Sequence, residues 1–368
     1  MKICLVINSL ARGGGAERVA SELANYWISK SHEVEVIILD RKVEYSLNEK
    51  VVVTSLLPEN KLIKSYIKPF IQLKKLHKIF KKNENDLIIS FLFRANIISI
   101  ISSIFTENKM IISERSFSKE NYSESSLIKF VIKKIYPRAC KIIAISNSVK
   151  ESLMKDFEIP EMKIEVISNP VNISKIKEQS TEEFDINRYF CSFKESDLNI
   201  VSVGRLIELK NFEFLINTVS KLLDKKYNIN LLIIGEGPNE PILNQLIKEK
   251  GLEKNVILYG YTSNPFKIMK NFDVFISAST YEAFGNAVLE AMSLGIPVMA
   301  LKGNGGPNEI LKQGEYGVIY NNDIDLVENL IKFIKEEGVL KKYSCLSLNR
   351  AKNHSLESIS NKYLNIKE

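Results

Sequence analysis

The stretch from Val274 to Leu301 reads VFISASTYEAFGNAVLEAMSLGIPVMAL. It opens on an apolar run, Val274–Ser277, crosses a short loop, and enters a helical pattern near Phe284 that stops at Gly295, a residue suited to a helix C-terminus. A second apolar run, Pro297–Leu301, follows at once. Strand, loop, helix and strand in that order make a βαβ unit, the building block of a parallel sheet covered by helices. Two carboxylates lie inside it, Glu282 and Glu290, eight residues apart. On a continuous helix that spacing is roughly 12 Å along the axis. Paired glycosidase carboxylates flank one bond at about 5–9 Å. The spacing therefore speaks for two grips on separate parts of one long ligand. Between them, backbone N–H groups near Gly285, Asn286 and Ala287 open a helix, where a phosphate is favoured.

The same rhythm runs outward in both directions. The later half repeats apolar runs at Ile200–Gly204, Asn230–Gly235, Val256–Tyr259 and Gly317–Tyr320. The earlier half shows them at Lys2–Ile7, Val34–Leu39, Leu87–Leu92, Met110–Ser113, Lys141–Ile145 and Ile164–Ile167. Continuous Ile/Leu/Val runs suit strands buried on both faces. A chain of 368 residues is comfortable for two such domains. The expected organisation is a first domain over 1–172, a linker with a short helical piece over 173–197, a second domain over 198–349, and a C-terminal helix over about 350–368 returning to the first domain. Doubly wound sheets bind ligands at the carboxyl ends of their strands, and a cleft between two such domains is a common ligand site.

Four motifs sit at strand ends. Val203-Gly204-Arg205-Leu206 follows a strand, with Lys210 shortly after; a planar guanidinium and a mobile ammonium both suit a diphosphate. Gly13-Gly14-Gly15-Ala16-Glu17-Arg18 joins the first strand to the first helix, where glycines let backbone approach a ligand. A dinucleotide fingerprint would need a glycine in place of Arg18, so NAD binding is not expected. Asp40, at a strand end, reads as a cap. Gly235-Glu236-Gly237-Pro238 is a turn into a helix, and Gly303 to Glu309 a glycine-rich loop before another.

The Glu282–Glu290 segment resembles the E-x7-E signature of glycosyltransferase family 4, and the likeness extends over nearly the whole chain. What the resemblance implies is a retaining enzyme of the GT-B fold, an α/β architecture of two facing Rossmann-like domains with a cleft between them. It implies that Glu290 holds the ribose of a nucleotide and Glu282 contacts the transferred sugar. Arg205 and Lys210 are implied to neutralise the departing diphosphate without a metal, with Glu282 completing the catalytic set. Gly14, Gly15, Gly204, Gly235, Gly285, Asn286 and Ala287 join Glu290 as donor-binding positions. Ser146, Asn147, Asn169, Pro170 and Val171 resemble hinge positions. Many similar proteins carry I-S-E-H in the acceptor loop. Here it is Ile112-Ser113-Glu114-Arg115-Ser116, so Arg18, Glu114 and Arg115 are expected on the acceptor side, and no base is assigned. Arg115 stays protonated and cannot serve as one. None of the three histidines (His32, His77, His354) falls in a motif.

Composition bounds the partners. Residues 1–172 carry a net charge of +8 and the remainder −1. Lys61 to Lys82 holds eight lysines and no acid, interleaved with apolar residues, and Ile128 to Lys141 is a second basic-apolar stretch. Such helices bind anionic bilayer surfaces. The four cysteines form no CxxC pair and read as reduced thiols. The N-terminus lacks a signal-peptide cleavage pattern, and no run approaches the ~20 apolar residues that span a bilayer. The combined expectation is a cytoplasmic enzyme at the inner face of the cell membrane, in polysaccharide biosynthesis. It would move a hexose or N-acetylhexosamine from a UDP-sugar to a glycan on polyprenyl diphosphate, with no cofactor, no metal and no nucleic acid. Two other readings stay open at this point: a nucleotide-sugar epimerase on the same fold, and a non-catalytic nucleotide-sugar-binding subunit.

Overall fold

The computed structural model of the chain describes residues 1–11, 14–58, 63–82, 84–115, 126–190, 193 and 196–366. Gly13, Lys61, Ser116 and Cys191 of the sequence reading lie outside them. The chain divides into two compact units, one from Met1 to Pro170 with the segment from Leu356 onward, the other from Val171 to Ser355.

The first unit is built on a seven-stranded sheet in the order β3-β2-β1-β4-β5-β6-β7. Its strands are β1 (Lys2–Ile7), β2 (Glu33–Ile38), β3 (Val52–Ser55), β4 (Leu87–Phe91), β5 (Met110–Glu114), β6 (Lys141–Ala144) and β7 (Ile164–Val166). All pairings are parallel. Central strands are buried on both faces, which is why their sequences run apolar without alternation. The helix α1 (Gly15–Ser29) buries Leu23 and Trp27 against the sheet. The helices α2 (Lys68–Lys82) and α3 (Phe93–Ser103) pack on each other. They are followed by α4 (Ser126–Ile135) and α5 (Asn147–Phe157), the latter capped by Ser146, whose Oγ accepts from Val149 N at 3.3 Å. The last helix of the chain packs on α1; Trp27 Nε1 donates to Ser360 Oγ at 2.7 Å, and Trp27 meets Tyr363 edge-on.

The second unit carries a six-stranded parallel sheet, β10-β9-β8-β11-β13-β15. Its strands are β8 (Leu198–Val203), β9 (Ile229–Ile234), β10 (Val256–Gly260), β11 (Val274–Ser277), β13 (Val298–Leu301) and β15 (Val318–Tyr320). Two further two-residue strands, β12 (Tyr281–Glu282) and β14 (Asn304–Gly305), pair with each other.

Three expectations need correction. Residues 173–197, read as a linker with a short helical piece, do contain a helix but group with the second unit. Their helix α6 (Ile173–Ser180) is capped by Asn172 and packs on the helices at Phe266–Met269 and Asn286–Ser293. Asn264 Nδ2 donates to Gln179 O at 2.9 Å, and Phe184, Tyr189 and Tyr259 form an aromatic cluster. Polar composition hid a segment that is anchored by a few aromatics. The return to the first unit begins at Leu356, not near 350: the helix Val339–Lys352 packs on Asn286–Ser293, with Ser347 Oγ donating to Ile296 O at 2.9 Å. The helix after Glu282 begins at Asn286, so Glu282 is on a strand and the helical spacing applied to the two glutamates does not hold.

Candidate active site

In the second unit, strand order reverses between β8 and β11, which are hydrogen-bonded neighbours. That is the switch point at which doubly wound sheets bind ligands. Both strands end there: β8 leads into Gly204 and Arg205, and β11 into the segment carrying Glu282. Lys210 and Glu282, distant by 72 residues in sequence, form an ion pair of 2.6 Å, with side chains only 20% and 24% exposed. Ser279 Oγ donates to the same Glu282 oxygen at 3.2 Å.

The glycines explain how this pair is held. The stem of Lys210 lies over Gly204, where an added Cβ would stand 3.1 Å from its Cε. Gly235 has φ +149° and a virtual Cβ 1.9 Å from Gly204 O, so the ends of β8 and β9 approach closer than any side chain permits. The glycine-rich loop is likewise clamped: β14 pairs Gly305 with Glu282, and a Cβ on Gly305 (φ +139°) would fall 1.9 Å from Glu282 O. Thr280 N donates to Leu209 O at 3.0 Å, tying the two loops together.

Directly after Glu282, Gly285 adopts φ +97° and begins α10 (Asn286–Ser293) without a side-chain cap. The N–H groups of Asn286 and Ala287 therefore lead a helix that no side chain of its own closes, a favourable position for an anion. Gly285, Ala287, Lys210 and Glu282 line one small cavity, with room for about 10 Å3 of water. Glu290 lies one turn into α10 and is buried. Arg205 is exposed, and its side chain makes no hydrogen bond or ion pair to another described residue, so its guanidinium is available to a ligand. Structure thus gathers Gly204, Lys210, Gly235, Glu282 and Gly305 into one assembly, with Arg205 at its rim.

Outcomes in the first unit differ. Gly14 is the N-cap of α1 and Gly15 its first residue. The carboxylate of Glu17 folds back over Gly14, 1.8 Å from where a Cβ would be, so this helix start already faces an acid of its own chain. Arg18 is half-buried one turn on. Glu114 and Arg115, expected toward an acceptor, are turned inward, 1% and 6% exposed. Arg115 donates to Asn169 Oδ1 and to Tyr363 Oη (2.9 Å), and its guanidinium stacks 4.8 Å from the Phe91 ring. Glu114 accepts from Tyr136 Oη at 2.7 Å and from Arg115 N at 3.0 Å. Burial pulls the Arg115 pKa down from its ordinary value, and the neighbouring Tyr363 and Glu114 oppose that shift. Arg115 ties the end of β5 to the C-terminal helix. Arg115→Ala is expected to cost about 2–4 kcal/mol, because the buried Asn169 and Tyr363 would each lose a charge-assisted hydrogen bond. Urea unfolding followed by the Trp27 signal checks this, Trp27 lying beside Tyr363.

Comparison with known proteins adds identity to this geometry. Residues 13–175 match the family model for Glycosyltransferase Family 4, and residues 185–351 that for glycosyl transferases group 1. A Campylobacter jejuni relative is 30% identical over 95% of each chain. The chain belongs to glycosyltransferase family 4. That relative is the N-acetylgalactosamine-N,N'-diacetylbacillosaminyl-diphospho-undecaprenol 4-alpha-N-acetylgalactosaminyltransferase. An Escherichia coli relative, the UDP-Gal:alpha-D-GlcNAc-diphosphoundecaprenol alpha-1,3-galactosyltransferase, is 26% identical over 75% of this chain and 73% of its own. Among solved structures, Anabaena HepE in complex with UDP aligns over 98% of both chains with a TM-score of 0.78 at 18% identity, a likeness of fold. This glycosyltransferase therefore has the GT-B class of fold, two parallel-sheet α/β domains; the Campylobacter and Escherichia relatives are both named for diphosphoundecaprenol-linked acceptors, and a Staphylococcus aureus relative, 26% identical over 80% of this chain and 82% of its own, is named a capsular polysaccharide biosynthesis glycosyltransferase. Among its described residues no helix is long and apolar enough to cross a membrane.

Proposed function

We propose that this glycosyltransferase moves a hexose or N-acetylhexosamine from a UDP-sugar to a hydroxyl of a lipid-linked glycan, with retention of anomeric configuration and without a metal. The observation that carries the reading is the Lys210–Glu282 pair at the β8/β11 switch point, beside the uncapped start of α10. In the free enzyme each partner neutralises the other. When a donor enters, its diphosphate is the stronger anion, and Lys210 turns to it together with Arg205. Glu282 is then released to accept a hydrogen bond from a sugar hydroxyl. The same two cations oppose the charge that develops as the anomeric carbon–oxygen bond breaks, an electrostatic effect prepared before the reaction. The acceptor oxygen bonds to the anomeric carbon, and its proton passes to the departing diphosphate. This route needs no protein base, in keeping with a site where none is assigned.

Support for a lipid-linked acceptor comes from the Campylobacter and Escherichia relatives, whose acceptors are undecaprenyl diphosphates by name. Support for UDP comes from the latter and from the UDP complex of HepE. Glu290, buried on α10, is proposed to hold the ribose. Glu290→Ala should raise the donor KM about tenfold or more with a smaller change in kcat, the mark of binding lost equally in ground and transition states. Steady-state kinetics against UDP-sugar concentration test it; an unchanged KM removes Glu290 from the donor site.

A further inference from the structure

The loop after β13 and the short helix Gly306–Ile310 that follows it press on the backbone of the donor segment. Beyond the pairing of Gly305 with Glu282, a Cβ on Gly306 would fall 2.1 Å from Phe284 O, and one on Gly285 would meet Pro307 Cγ at 3.0 Å. Whatever moves this loop and helix therefore moves Glu282 and the start of α10. A helix of five residues is too short to be stable alone. Two side chains hold it from outside.

Asn308, only 7% exposed, grips the front. Its Nδ2 donates to Leu301 O at 3.1 Å and to Gly303 O at 3.3 Å, joining the end of β13 to the first glycine of the loop. Chemistry fixes this orientation, because the amide turned over would set its oxygen against two carbonyls. Arg350 grips the back. It lies near the end of the helix Val339–Lys352, donating from Nε to Ile310 O at 2.6 Å and from Nη2 to Glu309 O at 3.0 Å. A cation thus meets the last carbonyls of the short helix, where it is favoured. The Arg350 guanidinium also stacks 5.2 Å from the Tyr316 ring. Its helix is fixed to the site at two further points. Ser347, on the same face as Arg350, donates to Ile296 O just beyond α10. His354, just past the helix end, sets its ring 6.2 Å from that of Phe284.

We propose that Asn308 and Arg350 are positioning residues for the transfer reaction, holding residues 303–310 so that Gly305 keeps Glu282 in place for the sugar. Lys210 and Ser279 orient the Glu282 carboxylate, and this bracket fixes the backbone that carries it. The inference rests on the proposed role of Glu282 at the donor sugar. It adds that the geometry of that carboxylate is set by two side chains that act only through the glycine-rich loop.

The test has a ligand-free arm and a kinetic arm, both on the full chain. Hydrogen exchange read by mass spectrometry should rise about tenfold over residues 280–286 and 302–310 in Asn308→Leu and in Arg350→Ala, and stay unchanged in β8 and β9, the pattern of a local opening. Turnover should fall about 30–100-fold in each variant, with donor KM changed less than about threefold, the mark of a misplaced reacting group. Binding of UDP, which has no sugar to meet Glu282, should match wild type by calorimetry. Methylguanidinium should restore turnover to Arg350→Ala and not to Asn308→Leu, since only the former leaves a guanidinium-shaped gap. Asn308→Asp can donate to the two carbonyls only while protonated, so its activity relative to wild type should fall as pH rises. Unchanged exchange over both stretches, or wild-type turnover in both variants, overturns the inference. If the wild-type chain turns over no UDP-sugar, the donor proposal fails instead, and the exchange arm decides the bracket by itself.

Discussion

Lys210→Ala is expected to lower kcat/KM for transfer by about 10²–10³-fold, the cost of removing one preorganised donor from a developing anion. The fold should register it weakly. The Lys210–Glu282 pair is partly exposed, and such pairs contribute about 1 kcal/mol or less. A large kinetic effect with a small change in unfolding free energy is thus the signature of a group that acts on the ligand. Glu282→Ala should also be severe, and the two together should cost little more than the worse of them, since the residues act as one unit. Arg205→Ala should lower turnover without any stability change, because its exposed side chain holds no described residue in place. Additive effects of Lys210→Ala and Glu282→Ala would mean that the pair seen in the free enzyme has no part in binding the donor.

Gly305→Ala is the second large effect, and it works through the backbone. The new Cβ would overlap Glu282 O and demand φ +139° of an L-residue. The β12/β14 pairing must then open, and Glu282 moves with it. Displacement of a reacting group by about 1 Å can cost on the order of 100-fold in rate. Gly314→Ala is the matched control: its φ is also positive, at +105°, but nothing lies within 4 Å of its Cβ position. It should carry only the conformational cost, roughly 1–2 kcal/mol, and keep its activity. Kinetics and urea unfolding of both variants separate overlap at the site from backbone strain. Equal activity in the two would contradict the clamp.

Buried strands were legible because parallel sheets leave continuous apolar runs; Lys2–Ile7 and Val274–Ser277 fall where the sequence puts them. Val52–Ser55 was not, being an edge strand with no buried residue. Neither were Tyr281–Glu282 and Asn304–Gly305, since two residues carry no periodicity. The residue types of the site were readable, but their assembly was not. Nothing in the spacing says that Lys210 meets Glu282, or that Gly204 and Gly235 touch; those are consequences of β8 lying between β9 and β11. Arg115 shows the opposite error. Its place in a loop after a strand suggested a ligand, while its partner Tyr363 stands 248 residues away on the last helix.

The most direct test is to incubate the enzyme with a panel of UDP-sugars and a short glycan on a prenyl diphosphate. The anomeric configuration of the new linkage is then read by NMR coupling constants. Transfer is expected to require the acceptor, to fail in Lys210→Ala, and to yield the same anomeric configuration as the donor. Isomerised or hydrolysed donor formed equally well without acceptor, or a product of inverted configuration, would contradict it.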